Sequence, residues 1–219
     1  PPDYIPSLEA AYPPGHAKRG PLLLGQRGLN VKGTPVYGSV FRRDLHVQPV
    51  DLHPSVPLRE AIDFGKHHPC VVWSQDTPTG QRCYLGGLLG DDIFLESFVP
   101  LVVQYRQQWF PDPMSLMQCC DPAGSHDNSQ GTRKNGVDVL REYGLSPRWV
   151  ENSNAPDVRR GAIERLAGLL RRRAANAEAI VVNPVRWLVV GDNTIREENW
   201  FAAALEAGYV WDEPTRSSA

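Results

Sequence analysis

No run of eighteen apolar residues occurs in the 219-residue chain, so no helix is expected to cross a membrane. Cysteine is sparse. Cys70, Cys83, Cys119 and Cys120 contain no C-x-x-C pair, which argues against a structural zinc site. Three of the four sit in apolar, strand-like stretches, where a reduced cysteine behaves as a small hydrophobe, so a reducing compartment is expected. A phosphate-cradling loop is also missing. Gly86-Gly87-Leu88-Leu89-Gly90 is followed by no Lys-Ser or Lys-Thr, and it reads as a bend in a hairpin. Pro1 stands where a start methionine would, and no charged-then-apolar signal segment follows, so the chain is expected to be a piece of something longer. No internal repeat or low-complexity tract is present.

Hydrophobic residues make up 41% and charged residues 22% of the chain, values of a globular protein rather than a disordered one. The net charge of −2 is unevenly spread. Residues 1–62 carry +2, residues 63–130 carry −5, residues 131–173 carry +5 and residues 174–219 carry −4. An acid-rich stretch beside an arginine-rich one suits a protein that holds cations in one place and a polyanion in another. Ordinary charge scatter is the plain alternative.

Residues 1–57 hold ten prolines, which break any long element. A short helix over 7–12 and a short strand over 34–41 fit between them. The segment reads as a linker or the trailing end of an upstream domain, laid over its neighbour. From Leu58 the pattern changes. Strands are expected over 58–64, 70–74 and 82–89, with a short β-rich run at 93–95. Helical spacing of Leu101, Val102, Tyr105 and Trp109 predicts a helix over 100–109. Residues 114–120 read as a strand buried on both faces. A helix over 136–143 ends at Gly144. A strand over 148–151, a long helix over 157–174, β-rich stretches at 179–182 and 187–190, a helix over 199–207 and a strand from Tyr209 complete the pattern. Strands come first and then alternate with helices, which implies a mixed sheet with helices on its faces.

Two aspartates are candidates for chemistry. Asp63 ends one apolar strand and is followed by Gly65. Asp121 ends another, in Cys119-Cys120-Asp121-Pro122-Ala123-Gly124. Ligands of an open α/β sheet gather at strand ends. If the two strands are neighbours, the carboxylates face each other and repel unless a divalent cation lies between them. Oxygen ligands without histidine or cysteine select Mg²⁺ or Mn²⁺ over zinc. Each Asp could instead simply begin a turn. His67-His68, in a turn, could touch phosphate, though exposed loop histidines usually do nothing. Ser125-His126-Asp127 is sequential and so is no nucleophile triad; it reads as a mobile loop beside Asp121. Arg133, Lys134, Arg159, Arg160, Arg171, Arg172 and Arg173 are candidates for phosphate-backbone binding. For the triplet, stabilisation of a helix C-terminus is the competing explanation.

The order of these pieces resembles the nuclease domain of the large terminase subunit of tailed bacteriophages. Leu23-Leu24-Gly25-Gln26, Gly33-Thr34-Pro35-Val36-Tyr37 and Asp44-Leu45-His46-Val47 look like the connection that follows the family's ATPase domain. Ala61-Ile62-Asp63-Phe64-Gly65, with Pro69 and Val71-Val72-Trp73 behind it, resembles its first catalytic strand. Cys120-Asp121-Pro122-Ala123-Gly124 resembles its second acidic motif. Gly208-Tyr209-Val210-Trp211-Asp212-Glu213 resembles the segment before its last acidic motif.

The resemblance implies an α/β, RNase H-like fold with a central mixed sheet flanked by helices. Residues 1–57 would be the tail of an upstream ATPase domain and residues 58–219 the nuclease domain. It implies an endonuclease that cuts concatemeric double-stranded viral DNA during genome packaging. Asp63 and Asp121 would be metal ligands for two ions, Mg²⁺ or Mn²⁺. A third acidic ligand is expected beyond Ala219, because Asp212 and Glu213 sit in the preceding segment. Expected partners are double-stranded DNA, the ATPase domain, the portal and the small terminase subunit, with no membrane, in the cytoplasm of the host cell. The family's Walker-type motifs are absent, so this piece would not be the ATP-driven part. Two alternatives stay open: a non-catalytic DNA-holding or docking module of the motor, and another RNase H-like nuclease such as a junction resolvase.

Overall fold

A computed structural model describes residues 34–65, 67–125, 134–149, 155–174 and 179–211. Strands β2 (Leu58–Asp63), β3 (Cys70–Asp76) and β4 (Arg82–Gly90) form an antiparallel meander. Strand β5 (Leu116–Cys120) returns beside β2 and runs parallel to it. Strands β6 (Ile180–Val182) and β7 (Trp187–Val190) pair in parallel with the first and second halves of β4. Strand β8 (Ile195–Glu197) closes that edge, antiparallel to β7. The order across the sheet is β5-β2-β3-β4-β7-β8. This is the expected central mixed sheet, with three antiparallel strands and parallel pairs at β2–β5, β4–β6 and β4–β7. A separate two-stranded ribbon joins β1 (Thr34–Pro35) to β9 (Val210–Trp211).

Alternation along the strands sorts the apolar residues onto two faces. Leu58 and Ile62 of β2, Val71 and Trp73 of β3 and Leu188 and Val190 of β7 point to a first face. Helices α2 (Leu95–Trp109) and α3 (Gly136–Glu142) cover it with Phe98, Val99, Val102, Val139 and Leu140. The second face carries Ile180, Val182 and Trp187. It is covered by α4 (Pro156–Ala174) and by α5 (Trp200–Ala203) with its π-helical turn over Ala204–Gly208. The short helix α1 (Arg43–His46) joins them through buried Phe41 and His46. Cover on the second face is uneven. Over β2 and β5 the described residues leave Ala61, Met117 and Cys119 exposed.

Residues 34–57 are strapped to the domain. This backbone joins the sheet at one place, where Val47 bridges Val182 in parallel and the Gln48 N–H donates to the Val182 carbonyl at 3.0 Å; its other polar groups need other partners. Two buried amides supply them. Gln75 accepts from the His53 N–H at 2.7 Å and donates to the carbonyls of His53 and Val56 at 3.0 and 2.9 Å. Asn183 donates to the Val50 carbonyl at 2.6 Å. Further along, Arg173 donates to Gln48 at 2.8 Å and to the Leu45 carbonyl at 3.4 Å, and a ring nitrogen of His46 meets the Leu170 carbonyl at 3.1 Å.

Several expected elements differ from those observed. The helix expected at Pro100 begins at Leu95, so 93–95 is not β-rich. Leu95 and Phe98 are fully buried. Burying them, at about 1.5–3 kcal/mol each, outweighs the roughly 3 kcal/mol that an interior proline costs. The strand expected over 34–41 is only Thr34–Pro35, because the chain turns through Gly38 with both Val40 and Phe41 N–H groups on the Tyr37 carbonyl. Strand β5 is not buried on both faces: Met117 is 53% exposed. Gly86 and Gly87 lie within β4 rather than at a bend. A side chain on Gly87 would come 2.6 Å from the Val71 carbonyl and 2.9 Å from the Trp187 ring, so glycine lets β7 and its tryptophan close on the sheet. Of the strand expected over 148–151, the described part is a single bridge between Cys119 and Arg148. The exposed hairpin strand β8 and the one-turn α1 were too short to leave a periodic signal. The helix expected over 7–12 lies outside the described residues.

One charged group is fully buried on the first face. Glu60 of β2 accepts from Trp73 Nε1 at 2.8 Å, Gln118 Nε2 at 2.7 Å and Arg106 at 3.0 and 3.1 Å. Removing one member of such a buried pair strands the other. Glu60→Ala is therefore expected to cost about 3 kcal/mol, read from urea unfolding midpoints. Glu60→Leu combined with Arg106→Leu should restore most of that stability; a double variant no better than the single would refute this account.

Candidate functional site

The site is built by register. Ile62 of β2 is paired with Cys120 of β5 in parallel. The next residue on each strand is an aspartate, so Asp63 and Asp121 stand side by side at the same end of neighbouring strands. They also share a face. Leu58, Glu60 and Ile62 turn to the covered first face, so Arg59, Ala61 and Asp63 turn to the second. On β5, Leu116 and Cys120 pack inward while Met117 and Cys119 are exposed, which places Asp121 with them.

Asp63 is held above the ordinary 3.8, first by partial burial of its carboxyl at the strand end and second by the negative charge of Asp121. The Phe64 backbone N–H pulls the other way. Cys70, opposite Asp63 on β3, is pushed up to about 12 by burial and by Asp63, so it stays a neutral thiol. The arrangement is a pair of repelling carboxylates at a strand end. Their oxygen donors and like charge suit a hard divalent cation. Among the described residues, no group of three or more His, Cys, Asp or Glu side chains is placed to hold a metal.

Phe64 fixes the two loops that follow the aspartates, a role the sequence did not suggest. A side chain on Gly124, in the 3₁₀ turn after Asp121, would fall 2.1 Å from the Phe64 ring, and one on Gly136, at the start of α3, 2.6 Å from it. Both backbones thus approach a buried aromatic as only glycine allows. The signal was Gly65 and Gly124 flanking the acids, but nothing in the spacing linked them to Phe64.

Other acids share this edge of the sheet without joining the pair. Asp91 and Asp92 follow β4, two strands from β2 and so about 10 Å away. Asp91 is bound by Arg196 at 3.0 Å and Asp92 by His67 at 3.1 Å. His68 meets the Gly90 carbonyl at 3.1 Å. The two histidines therefore fasten the β2–β3 turn to the β4–α2 turn.

The expected DNA-binding residues divide. Arg159, Arg160, Arg171, Arg172 and Arg173 lie on α4, on the same side of the sheet as the acid pair. Arg160, Arg171 and Arg172 are exposed. Arg159 donates to the Tyr209 hydroxyl at 3.0 Å, and Arg173 is committed to the strap. Lys134 pairs with Glu142. Arg133, Asp212, Glu213 and the 126–127 part of the Ser125-His126-Asp127 loop lie outside the described residues.

Comparison with solved structures finds similar chains. The large terminase of a thermophilic bacteriophage, in complex with ADP, is 16% identical and superposes with a TM-score of 0.50, over 71% of this chain and 35% of that one. The large terminase nuclease of thermophilic phage G20c is 11% identical over 80% of this chain and 97% of that one, with a TM-score of 0.45. The large terminase nuclease domain of bacteriophage SPP1, determined with bound Mn, is 14% identical over 64% and 71%, with a TM-score of 0.38. No protein-family model and no curated protein sequence matches the chain. The chain spans about a third of the length of the ADP-bound terminase.

A raised carboxyl binds its proton more tightly in the folded chain than in the unfolded one. Between the unfolded value and the higher folded one, stability therefore falls as pH rises. Asp63→Asn removes that penalty. In metal-free buffer at pH 7 its melting temperature is expected to exceed wild type, with the gain fading as pH falls toward 3.8. Melting curves that show no gain at pH 7 would remove the proposed repulsion.

Proposed function

We propose that this chain is a metal-dependent endonuclease of viral genome packaging, acting on concatemeric double-stranded DNA as the nuclease part of a large terminase subunit. The observation that carries the reading is the parallel register of β2 and β5, which brings Asp63 and Asp121 to one strand end and one face. In this reading both carboxylates hold divalent cations, Mg²⁺ or Mn²⁺. Such ions would supply water activation and stabilisation of charge on the leaving oxygen, with Asp63 and Asp121 holding them. The chain's own part is to fix the two carboxylates, through the strand register and the Phe64 contact, and to hold the duplex by its phosphates. The remaining acidic ligand falls, on this reading, outside the described residues. The upstream ATPase domain, the portal and the small terminase subunit are the partners this role requires, in the cytoplasm of an infected host cell.

A second reading has its own support. With two acids rather than three grouped among the described residues, the piece could hold DNA without cutting it. Plasmid nicking in Mn²⁺ separates the two. Asp63→Asn and Asp121→Asn are each expected to lower the nicking rate at least about a hundredfold, equivalent to about 2.7 kcal/mol of transition-state stabilisation. Nicking by Asp121→Asn at the wild-type rate would overturn the assignment. A panel of branched against linear DNA tests the junction-resolvase alternative, which predicts preference for branches.

The arginine triplet on α4 is expected to split in function. Arg171→Ala with Arg172→Ala should weaken duplex binding equally for all sequences, and lower the slope of log affinity against log salt by about 0.9 for each phosphate no longer neutralised. Melting should hardly change. Arg173→Ala should instead lower the melting temperature, because it releases Leu45 and Gln48. Salt titrations of the double variant that overlay wild type would exclude Arg171 and Arg172 from the interface.

A further inference from the structure

We propose that Arg148 is a phosphate seat on the acid-bearing face, taking a backbone phosphodiester of duplex DNA beside Asp63 and Asp121. The proposal rests on the nuclease reading and adds to it a contact that neither the sequence motifs nor the charge clusters indicated.

The first support is register. The Arg148 N–H donates to the Gln118 carbonyl at 3.0 Å, and the Cys120 N–H donates to the Arg148 carbonyl at 3.1 Å. Arg148 is thereby the parallel bridge partner of Cys119. Bridge partners on neighbouring strands turn their side chains to the same face. The flanking residues agree: Pro147 is buried and Trp149 packs against the first-face core. Arg148 therefore turns to the second face, one strand out from Cys119 and from the aspartate two residues beyond it.

The second support is that, among the described residues, this part of the second face is bare. Ala61, Met117 and Cys119 are exposed, so the described residues leave an uncovered strip of two strands running up to the acid pair. A duplex laid on that strip meets carboxylates that repel its phosphates. A cation on the same face offsets that repulsion and fixes the position of the backbone without reading bases.

The third support is electrostatic. Neighbouring cations are committed to partners: Arg59 to Asp76, and Arg141 to Asp138 at 3.4 Å. The Arg148 side chain is exposed and makes no hydrogen bond or ion pair among the described residues. Arginine also suits the ligand, because its planar fork matches two phosphate oxygens.

The test uses the 219-residue chain with a fluorescent duplex, in EDTA so that no cleavage intervenes, over a series of salt concentrations. Arg148→Ala is expected to weaken binding several-fold, equally for unrelated sequences, and to lower the salt slope by about 0.9. Arg148→Lys should keep the slope while losing part of the affinity. Arg141→Ala is the control and should overlay wild type. Arg148→Ala curves that overlay wild type at every salt concentration overturn the proposal. So does an equal drop in affinity from Arg141→Ala, which would mean that general surface charge carries the binding, and so does a wild-type chain with no measurable duplex affinity at low salt. The nicking assay is independent of this result. Full nicking by the aspartate variants with a weakened Arg148→Ala sinks the nuclease assignment alone, whereas dead aspartate variants with an unchanged Arg148→Ala sink the phosphate seat alone.

Discussion

The arrangement of this domain depends on one buried carboxylate. Glu60 accepts from a tryptophan on β3, a glutamine on β5 and an arginine on α2. An ion taken from water into an interior costs several kcal/mol even after relaxation, so Glu60 is tolerated only where all three donors converge. Three elements must then hold one relative position. The Gln118 side chain extends the constraint, because its own oxygen accepts from the Ser146 N–H at 2.8 Å. A slip of β5 by one residue would strand Glu60 and turn Asp121 to the covered face. The hydrophobic residues of β2 and β5 would not alone forbid that slip, since Leu116 to Cys120 has little contrast between its two faces. The buried charge therefore supplies register rather than bulk stability, and the aspartate pair inherits its alignment from it.

That division explains what could be read from the sequence. The meander, the long helix over 156–174 and the two aspartates at strand ends follow from apolar periodicity and turn residues. The parallel pairing of β2 with β5 could be supposed but did not follow from local pattern, because pairing is a long-range choice among strands of similar pattern. Glu60 drew no attention in the sequence; its burial follows from Trp73, Arg106 and Gln118, which lie 13, 46 and 58 residues away in sequence. Arg148 gave no signal because it stands alone, whereas the conspicuous triplet includes Arg173, which is spent on the strap. The helix start at Leu95 was hidden by Pro100, a local rule overruled by tertiary burial. The acid-rich block of residues 63–130 did have a spatial meaning: Asp63, Asp91, Asp92 and Asp121 all lie at one edge of the sheet, although only Asp63 and Asp121 adjoin.

The two sheet faces do different work. The first is sealed by α2 and α3 and holds the aromatic group of Trp73, Trp109 and Phe110, with ring centres 5.7–6.4 Å apart. Among the described residues, the second is sealed only over β3, β4, β6 and β7. The packing behind the aspartates is tight, while the described residues leave the side in front of them open.

The strap over residues 45–56 has a mechanical character of its own. Strands of the sheet are zipped by successive backbone bonds, so they part cooperatively. The strap is instead fastened at separate points, by the side chains of Gln75, Asn183, His46 and Arg173 and by one backbone bond from Gln48 to the Val182 carbonyl. The fastenings at 45–48, at Val50 and at 53–56 are separated along the chain. Tension applied along the chain from the Pro35 side would therefore be absorbed as a stepwise peel, like buttons opening in turn. Because those fastenings reach Arg173, β6 and the far end of β3, the pull would be felt there and would leave the alignment of Asp63 with Asp121 undisturbed.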